Sequence, residues 1–170
     1  MTAGRFSRAM SEEFPAEAAT IVQRHIEEEH GYLSWLNTQV DAIERGRLVM
    51  TIPYDEKLTN TVSPPTIHGG IAATLIDTAG GIALRTTFDD PLSGGVATIN
   101  LNVNYLRRAS GDLTAVADVV RAGGSVGVST ITVVSTDPED DEDVAARTTP
   151  ANEWDDAVAT GQGAYRLFRD

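Results

Sequence analysis

The sequence predicts an α+β fold in which a curved antiparallel sheet wraps one long central helix, with an extra helix on the N-terminal side. Two observations carry this expectation. Residues 71–84 are almost all apolar or small (Ile71, Ala72, Ala73, Leu75, Ile76, Ala79, Ile82, Ala83, Leu84), the composition of a helix with little surface left for water. Downstream, three strand-like runs follow one another with glycine-bearing turns between them: ATINLNVNYL over 97–106, LTAVADVV over 113–120 and VGVSTITVV over 126–134.

In chain order, residues 11–36 read as a helix, with Ser11 as N-cap and Glu12 and Glu13 in the first turn. Its irregular apolar positions (Ile21, Val22, Ile26, Leu33, Leu36) and Gly31 place a break at that glycine. Residues 47–53 (RLVMTIP) read as a strand. Residues 54–67, rich in Thr, Asn, Ser and Pro, read as a loop leading directly into His68. Inside the helix over 71–85, Gly80 and Gly81 each cost about 1 kcal/mol relative to alanine, so something packs very closely there, as a wrapped sheet would. The run 97–106 alternates, with Ile99, Leu101, Val103 and Tyr105 on one face and Thr98, Asn100, Asn102 and Asn104 on the other. Gly111-Asp112 and Gly123-Gly124 mark turns, which makes the three runs an antiparallel meander. Residues 137–143 (DPEDDED) begin an acidic, solvated loop that runs on to Asp156, and 157–168 (AVATGQGAYRLF) form a closing strand. The expected organisation is a single domain over 41–170 carrying a helical extension over 1–40.

Composition narrows the function. There is no cysteine, which removes disulfides, thiolate metal sites and thiol nucleophiles. The net charge of -12 argues against nucleic acid, whose phosphates need clustered Lys and Arg, and against anionic membranes. Lys57 is the sole lysine and acids are spread along the chain. Such a surface suits a high-salt cytoplasm, where screening removes its self-repulsion. With no apolar run behind the arginines of 1–10 and none long enough to span a bilayer, the expectation is a cytoplasmic soluble protein. His25 and His30 lie five apart, a poor spacing for two ligands on one helical face, and no metal is expected.

The chemistry concentrates at His68-Gly69-Gly70 and Asp77. A helix start collects unpaired N–H groups and the positive end of the helix dipole, which together can hold a carbonyl oxygen that gains negative charge. A lone acid about two turns further on, among apolar side chains, is expected to be partly desolvated and so a better base. The bland alternatives are a tight turn at the glycines and an acid that only hydrogen-bonds a neighbouring hydroxyl. A Ser-His-Asp hydrolase fits poorly: G-x-S-x-G is absent and the serine nearest His68 is Ser63, in the proline-rich loop.

These residues resemble the hotdog-fold thioesterases, most closely the phenylacetic-acid-degradation-type and 4-hydroxybenzoyl-CoA-type branch. The resemblance rests on HGGIAATLIDTA from His68, on GVATINLNVNYLRRASG from Gly95 and, weakly, on ATGQGAYR near the end, and covers roughly residues 47–168. It implies hydrolysis of an acyl-CoA to free acid and CoA. The Gly69 N–H would polarise the thioester carbonyl, Asp77 would act as base or nucleophile, and Thr98 would orient the attacking water. His68 would fix the loop by hydrogen bonding. The family's asparagine, which also binds carbonyl or water, usually stands six residues before the histidine, where this chain has Val62. Either the proline pair lengthens the loop and Asn60 reaches the site, which is the expectation here, or that role is missing.

Substrate contacts are expected from Gly70 and from a basic patch of Arg107, Arg108 and Arg121 beside Gly123 and Gly124, unless those arginines only pair with nearby acids. No cofactor is expected beyond the coenzyme A of the substrate, and the partner is that small molecule. A non-catalytic acyl-CoA-binding module is the rival reading; a dehydratase is a weaker one, because that group's Asp-His pairing is lacking. Gly69 and Asp77, eight residues apart, stand about 12 Å apart along a helix, so one carbonyl cannot touch both. Two helices antiparallel across a two-fold axis would give shared sites in a homodimer. The resemblance implies the same arrangement, often with dimers paired into tetramers.

The excess of acids over bases (25 against 13) generates a prediction. Thermal melts in KCl from about 0.1 M, where the Debye length is roughly 10 Å, up to molar salt should show a steadily rising Tm. A flat Tm would remove the high-salt interpretation.

Overall fold

The computed structural model describes residues 14–136 and 156–169. The expected Ser11 cap and most of the acidic loop over 137–156 lie outside them. The N-terminal segment comprises α1 (Ala16–Arg24), a π-helical turn (His25–Glu29) and α2 (Gly31–Trp35). Then come β1 (Gln39–Glu44), β2 (Arg47–Ile52), a 3-10 turn (Glu56–Leu58), α3 (Gly69–Arg85), β3 (Gly95–Tyr105), β4 (Asp112–Ala122), β5 (Val126–Thr136) and β6 (Ala157–Phe168). All six strands form one antiparallel sheet in the order β1-β2-β4-β5-β6-β3, and α3 packs against β2 through β6. This is the hotdog thioesterase fold, with an N-terminal helix added. No helix among the described residues is long and apolar enough to cross a membrane.

Three expectations needed correction. The N-terminal helix is shorter and more broken than a continuous run over 11–36: it starts after Pro15, and His30, extended at φ -80 and ψ 99, separates the π-helical turn from α2. β1 was not expected from sequence. Its segment QVDAIE contains two acids and buries only Val40, so its apolar signal is weak. It becomes a strand by pairing with β2, while Glu27 takes the Val40 N–H at 2.8 Å and Thr51 donates to Asp41 at 2.7 Å.

The meander is also interrupted. Only β4, β5 and β6 follow one another; β3 lies on the far side of β6, three strand positions from β4. The six residues 106–111 make that crossing of about 14 Å, well within the roughly 20 Å they can reach. Their contacts trace the route: the Leu106 N–H bonds to the Val158 carbonyl of β6 at 2.8 Å, and the Gly111 N–H to Ser135 Oγ of β5 at 3.0 Å. Alternation along β3 breaks at a bulge between Thr98 and Asn100, which leaves Ile99 58% exposed while Leu101 and Val103 pack on the core. A bulge adds a residue and re-aims its neighbours. Thr98 thereby joins Leu101 and Val103 on the α3 side.

The core is the inner face of the sheet, Leu48, Met50, Ile52, Leu113, Ala115, Ile131 and Val133, closed by Leu75, Ile76, Ala79 and Ala83 of α3. The helical glycines act as the sequence suggested. A methyl at Gly80 would run into the Tyr165 hydroxyl and Ile131, and one at Gly81 would stand 3.3 Å from the Tyr165 ring. Gly80→Ala should therefore destabilise the chain although alanine is the better helix former. Overpacking of about 1–3 kcal/mol outweighs the propensity gain of about 1 kcal/mol, and urea denaturation should show a lower midpoint. Gly124→Ala, which meets no atom within 4 Å, is the control and should leave the midpoint in place.

Candidate active site

α3 begins at Gly69 because His68, extended at φ -62 and ψ 132, turns its ring back to cap it: Nδ1 accepts the Gly70 N–H at 2.9 Å. The groups around Gly69 are nearly all committed. The His68 N–H goes to the Leu58 carbonyl at 2.8 Å, and the His68 carbonyl accepts the Ile71 N–H at 2.9 Å. The Gly69 N–H has no acceptor among the described residues. Of the two glycine donors at this helix start, Gly69 is thus the one still able to meet a ligand, whereas Gly70 is occupied by its cap.

Two turns on, Asp77 stands part-exposed on α3, so within a single chain it is less buried than the run of apolar neighbours suggested. Its carboxylate is held from β3, where Thr98 Oγ1 donates to Oδ1 at 2.7 Å. Its main chain is held from β6, where the Tyr165 hydroxyl donates to the Asp77 carbonyl at 3.0 Å. Burial first, and then the nearby Asp77 charge, push the Tyr165 phenol well above its ordinary value, so it remains a donor at every physiological pH. One turn further, Ser129 Oγ donates to the Gly80 carbonyl at 2.9 Å. The acid is fixed at backbone and side chain, with one carboxylate oxygen committed to Thr98.

Asn60 lies on the strand-like loop that delivers His68. Its N–H bonds to the Thr66 carbonyl at 2.8 Å, and Thr59 bridges Ile67, so Asn60 sits opposite the approach to the helix start while Val62 stands 55% exposed near the loop tip. The expected basic patch does not form within one chain. Arg107 and Arg108 adjoin the Val158 end of the sheet, while Arg121 and the Gly123-Gly124 turn lie at the other end of β4, about 23 Å away at 3.3 Å per residue. The separation was implicit in the sequence, because the extended strand β4 lies between Arg108 and Arg121 along the chain and holds its two ends apart whatever its neighbours. Arg107 reaches Asp156 at 3.7 Å with both side chains exposed, a weak pairing. His25 and His30 contact each other edge-to-face at 5.9 Å, and no metal-holding group of side chains is present among the described residues.

Sequence reasoning passed over three tyrosines that touch this helix. Besides Tyr165, the Tyr105 hydroxyl donates to the Gly69 carbonyl at 2.9 Å, and the Tyr32 hydroxyl lies 2.9 Å from Thr74 Oγ1. Tyr105 was readable only as part of an apolar face. The one available signal was that it, like Tyr165, ends a phenol on the side of the strand that faces α3.

One long helix laid on a six-stranded antiparallel sheet defines the scaffold as a hotdog fold, and comparison with known proteins agrees. The family description of the thioesterase superfamily matches residues 65–142. The chain is 48% identical, over 91% of its length and 95% of the other's, to a Halobacterium salinarum protein named "Putative esterase VNG_1336C". A thioesterase family protein from Silicibacter pomeroyi superposes with a TM-score of 0.67 at 23% identity, covering 86% of this chain and 98% of that one. Zebra fish thioesterase superfamily member 2 does so with a TM-score of 0.66 at 22% identity, covering 88% and 95%; at these identities the likeness is one of fold. The chain belongs to the thioesterase superfamily, which supports thioester hydrolysis as its general class of activity.

Thr98 offers a test of this arrangement. Thr98→Val removes the donor to Asp77 at an exposed position, so stability should change by less than about 1 kcal/mol while thioester turnover falls about ten- to hundredfold, the equivalent of one charge-assisted hydrogen bond. Thr98→Ser should retain most of the activity. Urea midpoints and initial rates on the three proteins decide it.

Proposed function

We propose that this protein is an acyl-CoA thioesterase of the phenylacetic-acid-degradation and 4-hydroxybenzoyl-CoA type, hydrolysing its substrate to free acid and CoA without a further cofactor. The observation that carries the reading is the pairing of a free Gly69 N–H with an Asp77 carboxylate oriented by Thr98. The Gly69 N–H and the positive end of α3 stabilise the carbonyl oxygen as it becomes an oxyanion. Asp77 either removes a proton from water or attacks the carbonyl carbon itself, and Thr98 holds its second oxygen in place. In the first route the activated water attacks the carbonyl, and collapse of the tetrahedral intermediate expels the CoA thiolate, which takes up the proton held by Asp77, and leaves the free acid; in the second the thiolate leaves an acyl–Asp77 anhydride, which one water then hydrolyses to the acid. Asn60 assists at the carbonyl or the water. Arg107 and Arg108 are the cations offered to the CoA phosphates, since the weak pair with Asp156 yields readily to a phosphate.

The site is shared between two copies. β3 is an edge of the sheet, and its eleven residues, GVATINLNVNY, contain no charge, in a chain of net charge -12. Edge strands that must stay single are usually guarded by charges or proline; this one is not. Pairing of β3 with the β3 of a second copy sets two α3 helices side by side and antiparallel, so that Gly69 of each approaches Asp77 of the other. Pairs of such dimers give the tetramer. The acidic surface and the halophile relative support work in a high-salt cytoplasm.

Asp77→Ala should fold normally and lose a factor of about 10² to 10⁴ in rate. Gly69→Pro is the complementary lesion. Proline suits the first helical position, His68 already has the backbone that precedes a proline, and the N–H is gone. Each variant alone should be inactive. A mixed dimer puts both lesions in one site and leaves the other whole, so subunit exchange, verified by mass spectrometry, should restore up to about half of wild-type activity per mixed dimer. Verified exchange without activity would show that each chain carries a complete site. A folded Asp77→Ala variant that keeps more than about a tenth of the rate would remove Asp77 as base.

A further inference from the structure

The geometry points to Tyr105 and Tyr32 as positioning residues that hold the first turn of α3 from two sides and so aim the Gly69 N–H, an inference that rests on the oxyanion role proposed above. A helix that starts with two consecutive glycines has the least restricted backbone available at the point where a donor must be fixed. The described contacts supply what the glycines lack. From β3, the Tyr105 hydroxyl donates to the Gly69 carbonyl at 2.9 Å, and its ring lies so close that a Cβ on Gly69 would stand 3.0 Å from it. The Gly69–Gly70 peptide is then gripped at both ends, its oxygen by Tyr105 and its N–H by His68 Nδ1.

The second hold comes from the N-terminal extension. Thr74 Oγ1 donates to the Gly70 carbonyl at 3.0 Å. A threonine hydroxyl has one hydrogen, so in the 2.9 Å contact with Tyr32 the tyrosine must be the donor. The result is a directed relay from Tyr32 through Thr74 to the Gly70 carbonyl, joining α2 to the turn that carries the oxyanion donor. Neither tyrosine belongs to the core of its own chain, in which they are 57% and 50% exposed. In the single chain water can satisfy both hydroxyls, so these bonds are not needed to rescue polar groups buried by its own fold; what they do is constrain the carbonyls they reach.

The test uses the full-length chain with Tyr105→Phe, Tyr32→Phe and the double variant, which keep the rings and remove only the hydroxyls. Misaiming a reacting group by about 1 Å can cost 10²-fold, so each single variant should lower kcat roughly tenfold, and the double more, with KM for a given acyl-CoA within about twofold. Amide hydrogen exchange provides a readout that needs no turnover. The Ala73 and Thr74 N–H groups bond to the Gly69 and Gly70 carbonyls in the helix, and their exchange should accelerate at least about threefold as the first turn loosens, with Tm little changed. Unchanged exchange at both amides overturns the proposal whether or not a substrate has been found. A raised KM with unchanged kcat also overturns it, by making the tyrosines walls for the acyl group. If Asp77→Ala is inactive while the tyrosine variants behave as wild type, the clamp fails and the hydrolytic reading stands; if Asp77→Ala stays active, that reading fails instead.

Discussion

The close seating of α3 on the sheet is the constraint on which the rest of the structure depends. Five glycines make it possible, two on the helix (Gly80, Gly81) and three on the strands beneath it (Gly127, Gly161, Gly163). At each of these a Cβ would press on a neighbouring side chain: Leu84 at Gly127, Ile76 at Gly161, and Tyr165 at Gly80, Gly81 and Gly163. Interiors packed to crystal-like density tolerate little displacement, so the helix cannot slide or roll without clashing. Two buried hydroxyls then fix its height and rotation, Tyr165 on the Asp77 carbonyl and Ser129 on the Gly80 carbonyl. Small residues let the surfaces meet, and the hydroxyls define where they stop.

The candidate site inherits its order from this seating. With the middle of α3 pinned from below, Asp77 has a defined direction, and β3 has only to present Thr98 beside it. The bulge after Thr98 does this locally without disturbing the β3–β6 ladder on either side. The helix start, which projects beyond the glycine-lined contact, is held by separate means: the His68 cap, Tyr105 from the edge strand and Tyr32 from the extension. Structural elements far apart in sequence therefore converge on the two ends of one eight-residue span. The charge distribution complements this, because the opposite edge strand, β1, carries Asp41 and Glu44 whereas the edge strand bordering the site carries no charge.

Much of the fold was legible because it follows from local pattern. The central helix, β2, β4, β5 and β6 were all evident from apolar runs and glycine turns, and the close approach at Gly80 and Gly81 followed from the cost of glycine in a helix. β1 was hidden because its stability comes from its partner and from Glu27 rather than from its own residues. The placement of the candidate residues Gly69 and Asp77 at the start and two turns into the central helix was legible through motif and spacing, and Thr98 was legible as part of the following strand. The tyrosines that bind the helix carbonyls were not, since a tyrosine in an alternating strand looks like any other apolar residue until the helix beneath it is in place.

By itself, the sequence determined the class of fold, the helix start with its histidine cap and glycine donors, the acid two turns beyond and an acidic surface, all of which depend on residues close together in the chain. Only the tertiary structure decided that β3 lies beyond β6, that Thr98 rather than Ile99 turns toward the helix, and which of the two glycine N–H groups is left free. Strand order, bulge position and hydrogen-bond partners are set by what packs against what across tens of residues, and side-chain periodicity carries no record of that choice.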